Sequence, residues 1–277
     1  MLNNFFIEDH VKKALQEDIG FGDITTDYLT NEDDLMHCEL NSRVDGILCG
    51  REVFETVFKV LSPKVEVKFY FKDGDVITKG DKLADINGPA RYVLMGERTA
   101  LNYIQRLSGI ATETNKYQKA IGSSKAKIVD TRKTTPLFRA FEKYAVKTGG
   151  GSLHRFNLSD CAMIKDNHIK YAGTLTKAVE KLRAHISHAH KIEVECDTFE
   201  QVKEAVACKA DIIMLDNMTL EQMKNCVEYI AGRAIVEASG NVNLNTVADI
   251  AATGVDIISS SAIVAKAPTL DLGLDCK

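Results

Sequence analysis

The chain has 277 residues, a formal net charge of −4 and a 45% share of hydrophobic residues. That length suits one large domain or two modest ones, and the composition excludes disorder, while the negative charge argues against a general nucleic-acid-binding role. No apolar run is long enough to cross a bilayer and the first residues do not resemble a signal peptide, so we expect a cytoplasmic protein without a membrane partner.

The seven cysteines are an odd number, and no two of them form a C-x-x-C pair. That pattern favours neither a disulfide framework nor a zinc site. We therefore expect free thiols in a reducing cytoplasm, at Cys38, Cys49, Cys161, Cys196, Cys208, Cys226 and Cys276.

The first hundred residues mix predicted helices and strands without a fixed order, which indicates an α+β module. Apolar residues recur at three and four positions in 51–61, which predicts a helix, and they alternate in 64–71, which predicts a strand. A longer helix is expected over 94–109, with Gly109 as its C-terminal cap. One polar face of that helix carries three residues spaced i, i+4, i+7: Arg98, Asn102 and Gln105.

From residue 125 onwards the pattern becomes regular, because short apolar runs alternate with stretches of helical composition. Repeated βα units predict a parallel sheet, and this many buried strands favour an α/β barrel over an open sheet. No glycine-rich dinucleotide motif or P-loop follows any of the runs. The six predicted strands are 127–130, 161–166, 191–196, 211–216, 234–240 and 255–261.

Polar side chains close these runs at the end where barrel enzymes build their active sites. The carboxyl ends of parallel strands meet at one rim, so charges and hydroxyls there predict a binding site. They include Lys165, Glu193 and Glu195, Asp216, Glu237, Ser239, and Ser259, Ser260 and Ser261.

The stretch "IVDTRKTTP", residues 128–136, lies in the most cationic part of the chain. Residues 125–170 hold ten Lys and Arg against four Asp and Glu, a local charge of +6. Such a patch at a barrel mouth predicts a small polyanionic ligand. Thr135 and Pro136 fit the start of a helix that Gly149–Gly151 would end. Its inward face would be Leu137, Phe138, Phe141 and Ala145.

Two acids, Glu195 and Asp216, would be out of place in a site for anions alone. Hard cations take carboxylate oxygens as ligands and bridge phosphate groups, so these acids indicate Mg²⁺ bound together with a phosphorylated ligand. The residues thus predict a site for phosphorylated sugar chemistry.

The segment "DTRKTTP…EKYAVKTGGGSLHRFNLSDCAMIKDNHI", residues 130–169, closely resembles the quinolinate phosphoribosyltransferase family. The likeness continues in "GDITTDYL", "GERTALNYIQRLSGIAT", "KIEVECDT", "IIMLDNM" and "EASGNVN". It implies an N-terminal α/β sandwich domain, residues 1–110 joined by the tail 266–277, and an incomplete, open α/β barrel, residues 111–265. It also implies a homodimer whose subunits share each active site, in some relatives assembled further into a hexamer of three dimers.

The same resemblance implies a reaction and a role for each site residue. Quinolinate and phosphoribosyl pyrophosphate (PRPP) would give nicotinate mononucleotide, pyrophosphate and CO₂, in the synthesis of NAD. Lys133, Lys165, Glu195 and Asp216 would be catalytic, and Glu195 and Asp216 would also contact the ribose and Mg²⁺. Quinolinate would be bound by Thr131, Arg132, His154, Arg155 and Lys165, with Arg98 from the partner subunit. PRPP would be bound by Lys133, Glu195, Asp216, Ser239, Gly240, Asn241, Ser260 and Ser261.

Two departures from the family pattern and three alternative functions stay open at this point. Ser261 and Leu137 stand where relatives commonly have glycine. One alternative is the molybdenum-uptake-associated relative of the same fold. Another is a barrel aldolase with a Schiff base on Lys165. The third is a non-catalytic anion-binding protein.

Overall fold

The structure is a computed structural model that describes residues 2–277. The chain forms two compact units. The first unit contains the residues up to 115, with 140–149 and 267–277, and the second contains 116–139 and 150–266. Among residues 2–277, no helix combines the length and the apolar character that a membrane span requires.

The N-terminal elements run through residue 120 and end in a long helix. They are α1 (Asn4–Ile19), α2 (Thr26–Leu29), β1 (Leu35–Ser42), β2 (Gly46–Ile47), α3 (Arg51–Leu61), β3 (Glu66–Phe69), β4 (Val76–Ile77), β5 (Lys82–Pro89) and α4 (Ala90–Ala120).

The remaining elements alternate strands and helices up to the C-terminal strand. They are β6 (Lys127–Val129), α5 (Arg139–Thr148), β7 (Ala162–Ile164), α6 (Asp166–Ala172), α7 (Leu175–Arg183), β8 (Ile192–Cys196), α8 (Phe199–Ala207), β9 (Ile212–Asp216), α9 (Leu220–Ile230), β10 (Ile235–Ser239), α10 (Val247–Ala251), β11 (Ile257–Ser259), α11 (Ala262–Ala265) and β12 (Leu272–Cys276).

The first unit is built on an antiparallel sheet in the order β12-β1-β5-β3. Helix α3 buries Val53, Phe54, Val57 and Phe58 on one side, as the predicted helical spacing requires. The strand expected within 64–71 is β3. Apolar residues of α4 are buried as well, so the sheet and helices share one core of this unit.

The prediction that Gly109 ends a helix is wrong, because α4 continues through that residue to Ala120. A side chain at 109 would bring its Cβ within 1.9 Å of the carbonyl oxygen of Pro268. Glycine is therefore required here by the close approach of the chain segment that leads into β12.

The prediction of seven free thiols is also wrong, since Cys38 and Cys276 form a disulfide. The two residues lie directly opposite each other on the antiparallel strands β1 and β12. They are 238 positions apart in the sequence, so cysteine spacing could not show the pairing. The other five cysteines are free.

The second unit is built on a parallel sheet in the order β6-β11-β10-β9-β8-β7. All six predicted strands are present, and their buried residues and intervening helices confirm the βα repeats. Among residues 2–277, the edge strands β6 and β7 do not pair with each other, so the barrel is open. Threonine N-caps begin three of its helices, at Thr174, Thr198 and Thr219.

The helix predicted to start at Pro136 begins only at Arg139. Leu137 has a φ of 62°, which is left-handed and incompatible with a right-handed helix, so the preceding residues form a turn. The predicted inward position of Leu137 is wrong, since this side chain is 88% exposed. Phe141 and Ala145 are fully buried, as predicted.

Candidate active site

A cavity of about 420 Å³ opens at the carboxyl ends of the parallel strands. This end of a βα barrel is where active sites form, and here the turns after the strands supply most of the polar groups. We call it the candidate cavity. It is lined by Thr131, Arg132, Lys133, His154, Arg155, Met163, Lys165, Glu195, Met214, Asp216, Glu237, Ser239 and Ser259.

The turn after β6 presents Arg132 and Lys133 to the candidate cavity. The hydroxyl of Thr131 accepts from the backbone N–H of Lys133 at 3.0 Å, and the Nε of Arg139 donates to Thr134 Oγ1 at 3.0 Å. The Nε of Arg132 is buried and has no hydrogen-bond partner. Partial burial and the positive charges of Arg155 and Arg139 lower the pKa of Arg132. An arginine in this state is suited to receive an anion.

The segment after the triple glycine brings a second arginine to the same place. The backbone N–H of His154 donates to Asp130 Oδ1 at 2.9 Å, which ties the segment to the end of β6. The guanidinium of Arg155 donates to the carbonyl of Cys161 at 2.8 Å and contacts the sulfur of Met163 at 3.3 Å. These contacts leave the guanidinium without a carboxylate partner among the ion pairs of residues 2–277.

Two carboxylates lie among these cations. The ammonium of Lys165, at the end of β7, forms an ion pair with Glu195 at the end of β8. Asp216 ends β9 and accepts a hydrogen bond from the side-chain amide of Asn217 at 2.8 Å. The candidate cavity therefore combines four cationic side chains with three carboxylates, and those of Glu195 and Asp216, at the strand ends, are hard oxygen donors that suit Mg²⁺.

The turns after β9 and β10 are locked together by Asn217. This residue and Asn241 have left-handed φ values of 55° and 53°, and the Nδ2 of Asn241 donates to Asn217 Oδ1 at 3.2 Å. A Cβ on Gly240 would approach Asn217 Oδ1 to 2.2 Å, so no side chain fits at 240. The turn at 239–241 therefore has little room for side chains, and its backbone lies close to the turn after β9.

The structure brings together nine of the predicted site residues and leaves five outside the lining of the candidate cavity. Gly240 and Asn241 line a smaller neighbouring cavity of about 200 Å³. Ser260 is buried, and Ser261 precedes α11. Arg98 lies on α4 in the first unit, where it is exposed. The nine lining residues are Thr131, Arg132, Lys133, His154, Arg155, Lys165, Glu195, Asp216 and Ser239.

Two buried glutamates, Glu193 and Glu237, were predicted to lie near the strand ends but were given no individual role in the site. The Nε2 of His154 is 3.4 Å from an oxygen of each. Burial lowers the pKa of His154, but the hydrogen bonds and charges of the two carboxylates raise it more. Burial also raises the pKa of Glu193. The sequence does place them on the site's side of the strands. Each stands two residues before a predicted site residue, Glu195 or Ser239, and alternate residues of a strand share a face.

The predicted cationic patch is smaller than the charge count suggested. Lys125 pairs with Asp256 at 2.7 Å, Lys170 pairs with Asp166 at 2.9 Å, and Lys143 is almost completely buried. A wider groove of about 970 Å³ lies near the amino ends of β8, β9 and β10, but its acids are paired with cations on the same surface. The groove lies at the opposite end of the strands from the predicted site, and the cations predicted to bind the anionic ligand line the candidate cavity.

Comparison with protein families gives two matches that together cover most of the chain. Residues 23–108 match the profile described as "Quinolinate phosphoribosyl transferase, N-terminal domain", and residues 110–275 match that of the C-terminal domain.

Individual relatives agree along the full length. A Bacillus subtilis protein named nicotinate-nucleotide pyrophosphorylase [carboxylating] is 40% identical over 99% of this chain and 92% of its own length. The crystal structure of NadC from Streptococcus pyogenes is 41% identical, covers 100% of this chain and 99% of its own, and superposes with a TM-score of 0.96. That of nicotinate-nucleotide pyrophosphorylase from Francisella tularensis is 38% identical, covers 100% and 98%, and has a TM-score of 0.95.

Proposed function

The chain belongs to the quinolinate phosphoribosyl transferase family, and we propose that its candidate cavity carries out the reaction for which the family is named. The enzyme transfers the phosphoribosyl group of PRPP to the nitrogen of quinolinate. Pyrophosphate and CO₂ are released and nicotinate mononucleotide is formed, a step of NAD synthesis. The observation that carries this proposal is a single cavity in which four cationic side chains lie together with the carboxylates of Glu195 and Asp216 and, deeper in the barrel, that of Glu237.

Quinolinate is a dianion, and the two arginines of the candidate cavity are suited to hold it. The planar guanidinium binds a carboxylate through two parallel hydrogen bonds. Two features of Arg132 support this role. Its buried Nε has no hydrogen-bond partner, and a bound carboxylate would supply one. Its positive charge lies near that of Arg155, and a bound carboxylate would reduce the repulsion between them. Thr131, His154 and Lys165 line the same space and complete the proposed quinolinate site.

The phosphoribosyl half of the site would lie toward Asp216 and the turn after β10. Ser239 lines the candidate cavity, and Gly240 and Asn241 continue into the adjoining small cavity. Successive backbone N–H groups in such a turn form an anion-binding concavity, which suits the 5′-phosphate. Lys133 supplies a positive charge for the pyrophosphate. Ser260 and Ser261 follow β11 at the same end of the sheet.

The main contribution of the protein to this reaction would be to hold two anionic substrates in the correct relative orientation. The pyridine nitrogen bonds to C1 of the ribose as the bond from C1 to pyrophosphate breaks, and the carboxylates of Glu195 and Asp216 would stabilise the positive charge that develops on the sugar. The ring nitrogen then carries that charge. When the bond to the adjacent carboxylate breaks, CO₂ departs, the electron pair stays on the ring carbon beside the cationic nitrogen, and a proton takes its place.

We propose Mg²⁺ as the cofactor of this reaction. Glu195 and Asp216 offer hard carboxylate oxygens at the ends of neighbouring strands, and they would hold the ion beside the phosphate-binding cations. When bound, Mg²⁺ would neutralise part of the charge of the departing pyrophosphate.

A homodimer with shared active sites is supported by the surface of the first unit. Seven large apolar side chains between residues 5 and 35 are exposed, and a protein contact would remove them from water. They are Phe5, Phe6, Phe21, Ile24, Tyr28, Leu29 and Leu35. Arg98 is exposed, and it has no side-chain hydrogen bond or ion pair within residues 2–277, so it is available to a neighbouring subunit's quinolinate.

The deciding experiment is an assay of the purified protein with PRPP, Mg²⁺ and quinolinate labelled in its 2-carboxylate. We expect labelled CO₂ and nicotinate mononucleotide in equal amounts, with both absent when Mg²⁺ is chelated. Folded protein that forms neither product would overturn the proposed function. The ligand would then be sought among other anions, beginning with those of the molybdenum-associated relatives.

Mixing two variants tests the shared site separately, when quinolinate is kept far below their raised KM so that each variant alone is nearly inactive. Arg98→Ala and Arg132→Ala place one defect on each side of the proposed interface, so a mixed dimer would contain one intact site. Random exchange of equal amounts should restore about a quarter of the wild-type activity. If subunits exchange, as followed by mass-labelled chains, and the mixture stays inactive, each subunit carries a complete site and the proposal fails.

A further inference from the structure

Two carboxylates inside the barrel, Glu193 and Glu237, have no part in the proposed chemistry. Their side chains are each 1% exposed, and both point to the Nε2 of His154 at 3.4 Å. Both oxygens of Glu193 and one oxygen of Glu237 have no hydrogen bond. We call His154, Glu193 and Glu237 the buried cluster.

The buried cluster lies in the wall between two cavities of the barrel. His154 and Glu237 line the candidate cavity on one side. All three residues line a second cavity, of about 330 Å³, on the other side. Interior positions of a βα barrel are ordinarily filled by branched apolar side chains, and a buried carboxylate is costly unless it is paired. Two such groups directed at one imidazole therefore indicate a function.

The imidazole of His154 has both ring nitrogens in contact with the protein. Its Nδ1 accepts a hydrogen bond from the backbone N–H of Arg155 at 2.8 Å, so this nitrogen carries no proton. The ring proton is then on Nε2, between the two carboxylates. An imidazolium would need a proton on Nδ1 as well and would lose the bond to Arg155, so the neutral ring fits this geometry, although the carboxylates raise its pKa.

We infer that Glu193 and Glu237 are positioning residues for quinolinate binding. The negative charges of the two carboxylates, each 3.4 Å from Nε2, attract the Nε2–H of His154 and so orient the ring, and its Nδ1 in turn accepts from the backbone N–H of Arg155. The guanidinium of Arg155, which lines the candidate cavity, starts from that fixed backbone and is thereby aimed at the substrate carboxylate. The inference rests on the proposed function and adds two residues to its quinolinate half.

The kinetic test uses Glu193→Gln and Glu237→Gln, which keep the side-chain volume and remove the charge. Each should raise the KM for quinolinate about tenfold or more, because the negative charge that orients the His154 ring is lost. The KM for PRPP should stay within about twofold, since its proposed contacts are elsewhere. The matched control is Glu204→Gln on α8, a glutamate that accepts from Thr176 and does not line the candidate cavity.

A spectroscopic measurement of the protonation of the His154 ring tests the positioning role independently of enzyme turnover. In wild-type protein labelled with ¹⁵N-histidine, the resonances of His154, assigned by their loss in His154→Gln, should show an unprotonated Nδ1 and a protonated Nε2. Glu193→Gln and Glu237→Gln should shift these resonances, whereas Glu204→Gln should not. The tautomer of His154 is measured in wild-type protein. The inference can therefore be tested even if a glutamine variant fails to fold.

Three outcomes would overturn the inference. One is a wild-type His154 ring that exchanges between both tautomers. Another is a KM for quinolinate that stays within twofold in both folded variants, or rises together with the KM for PRPP. The third is a stoichiometric metal ion that is retained by wild-type protein and lost in Glu193→Gln, since the cluster would then be a metal site. A wild-type protein without turnover refutes the proposed function instead, and the tautomer measurement still decides the positioning.

Discussion

The chain contains two clusters of one histidine and two carboxylates, and they differ in how their charges are satisfied. One, the sheet cluster, is His37 with Glu39 and Asp85 on the antiparallel sheet; the other is the buried cluster. In the sheet cluster, Lys82 pairs with both carboxylates and Lys277 pairs with Glu39, at 2.6–2.9 Å. In the buried cluster, three carboxylate oxygens have no hydrogen bond.

The two clusters have the same residue types but differ in their ion pairs, so residue types alone do not identify a functional site. Hydrogen bonds from Lys277 and Lys82 lower the pKa of Glu39 to about 2, so the charges of the sheet cluster are compensated by neighbouring side chains. Within residues 2–277, the carboxylates of the buried cluster, and Arg132 and Arg155 of the candidate cavity, have no such ion pairs with Lys or with carboxylates, which favours a role with a ligand. We therefore expect changes on the sheet to affect stability and changes in the barrel to affect activity.

The largest effect should come from the sheet, through Cys38, which stands between His37 and Glu39 on β1. Cys38→Ser removes a disulfide that closes a loop of 238 positions, and we expect a loss of about 2–4 kcal/mol in the free energy of unfolding. Urea unfolding of the oxidised protein measures it, and a thiol titration of the unfolded wild type should find five thiols. Both Michaelis constants should stay unchanged.

The control for this prediction is Cys208→Ser, which alters a free, half-buried thiol. It should leave the unfolding midpoint close to that of the wild type. A reducing agent should lower the midpoint of the wild type and leave that of Cys38→Ser unchanged. Seven titratable thiols in the unfolded wild type, or equal midpoints for the two serine variants, would contradict the structure.

Arg132→Ala tests the expectation that changes in the barrel affect activity rather than stability. Loss of a charged hydrogen bond should weaken quinolinate binding by about 1.5–3 kcal/mol, which is roughly a 10- to 100-fold rise in its KM. The melting temperature should not fall, because Arg132 has no ion pair within the described residues and its positive charge is crowded by Arg155 and Arg139. Lys125→Ala, which removes a surface ion pair, is the control. Unchanged kinetics for Arg132→Ala would contradict this prediction.

The sequence predicted those parts of the site that depend on local pattern and failed where distant segments meet. Short apolar runs with polar ends predicted all six parallel strands and placed Arg132, Lys165 and Glu195 in one cavity, because the carboxyl ends of parallel strands converge. The disulfide could not be predicted, since it depends on the register of β12 against β1. The contact of Glu193 with His154 depends on barrel curvature, which strand alternation does not specify.

A smaller effect is expected at the rim of the barrel, where Leu137 has a left-handed φ of 62° and is 88% exposed. A non-glycine residue in that conformation destabilises the folded state by about 1–2 kcal/mol. Glycine avoids this cost, but the greater flexibility of the unfolded chain with glycine offsets part of the gain in stability. Leu137→Gly should therefore raise the free energy of unfolding by about 0.5–1 kcal/mol in urea titrations. Leu158→Gly, at an exposed leucine without a positive φ, should lower it. Equal losses in both variants would mean that the conformation at 137 stores no strain.

The smallest effect should come from Glu39→Gln in the sheet cluster, because solvent screens exposed ion pairs. The folded-state pKa of Glu39 is about 2, below its ordinary value of 4.5, so its ion pairs stabilise the fold above that ordinary value and lose their effect as the pH falls toward 2. Urea midpoints of wild type and variant should therefore differ slightly at pH 7, differ less at pH 3 and converge at about pH 2, with activity at pH 7 unchanged. A difference that persists at about pH 2, or a loss of activity at pH 7, would show that this cluster does more than stabilise strand pairing, and the sheet cluster would then no longer differ from the buried cluster in function.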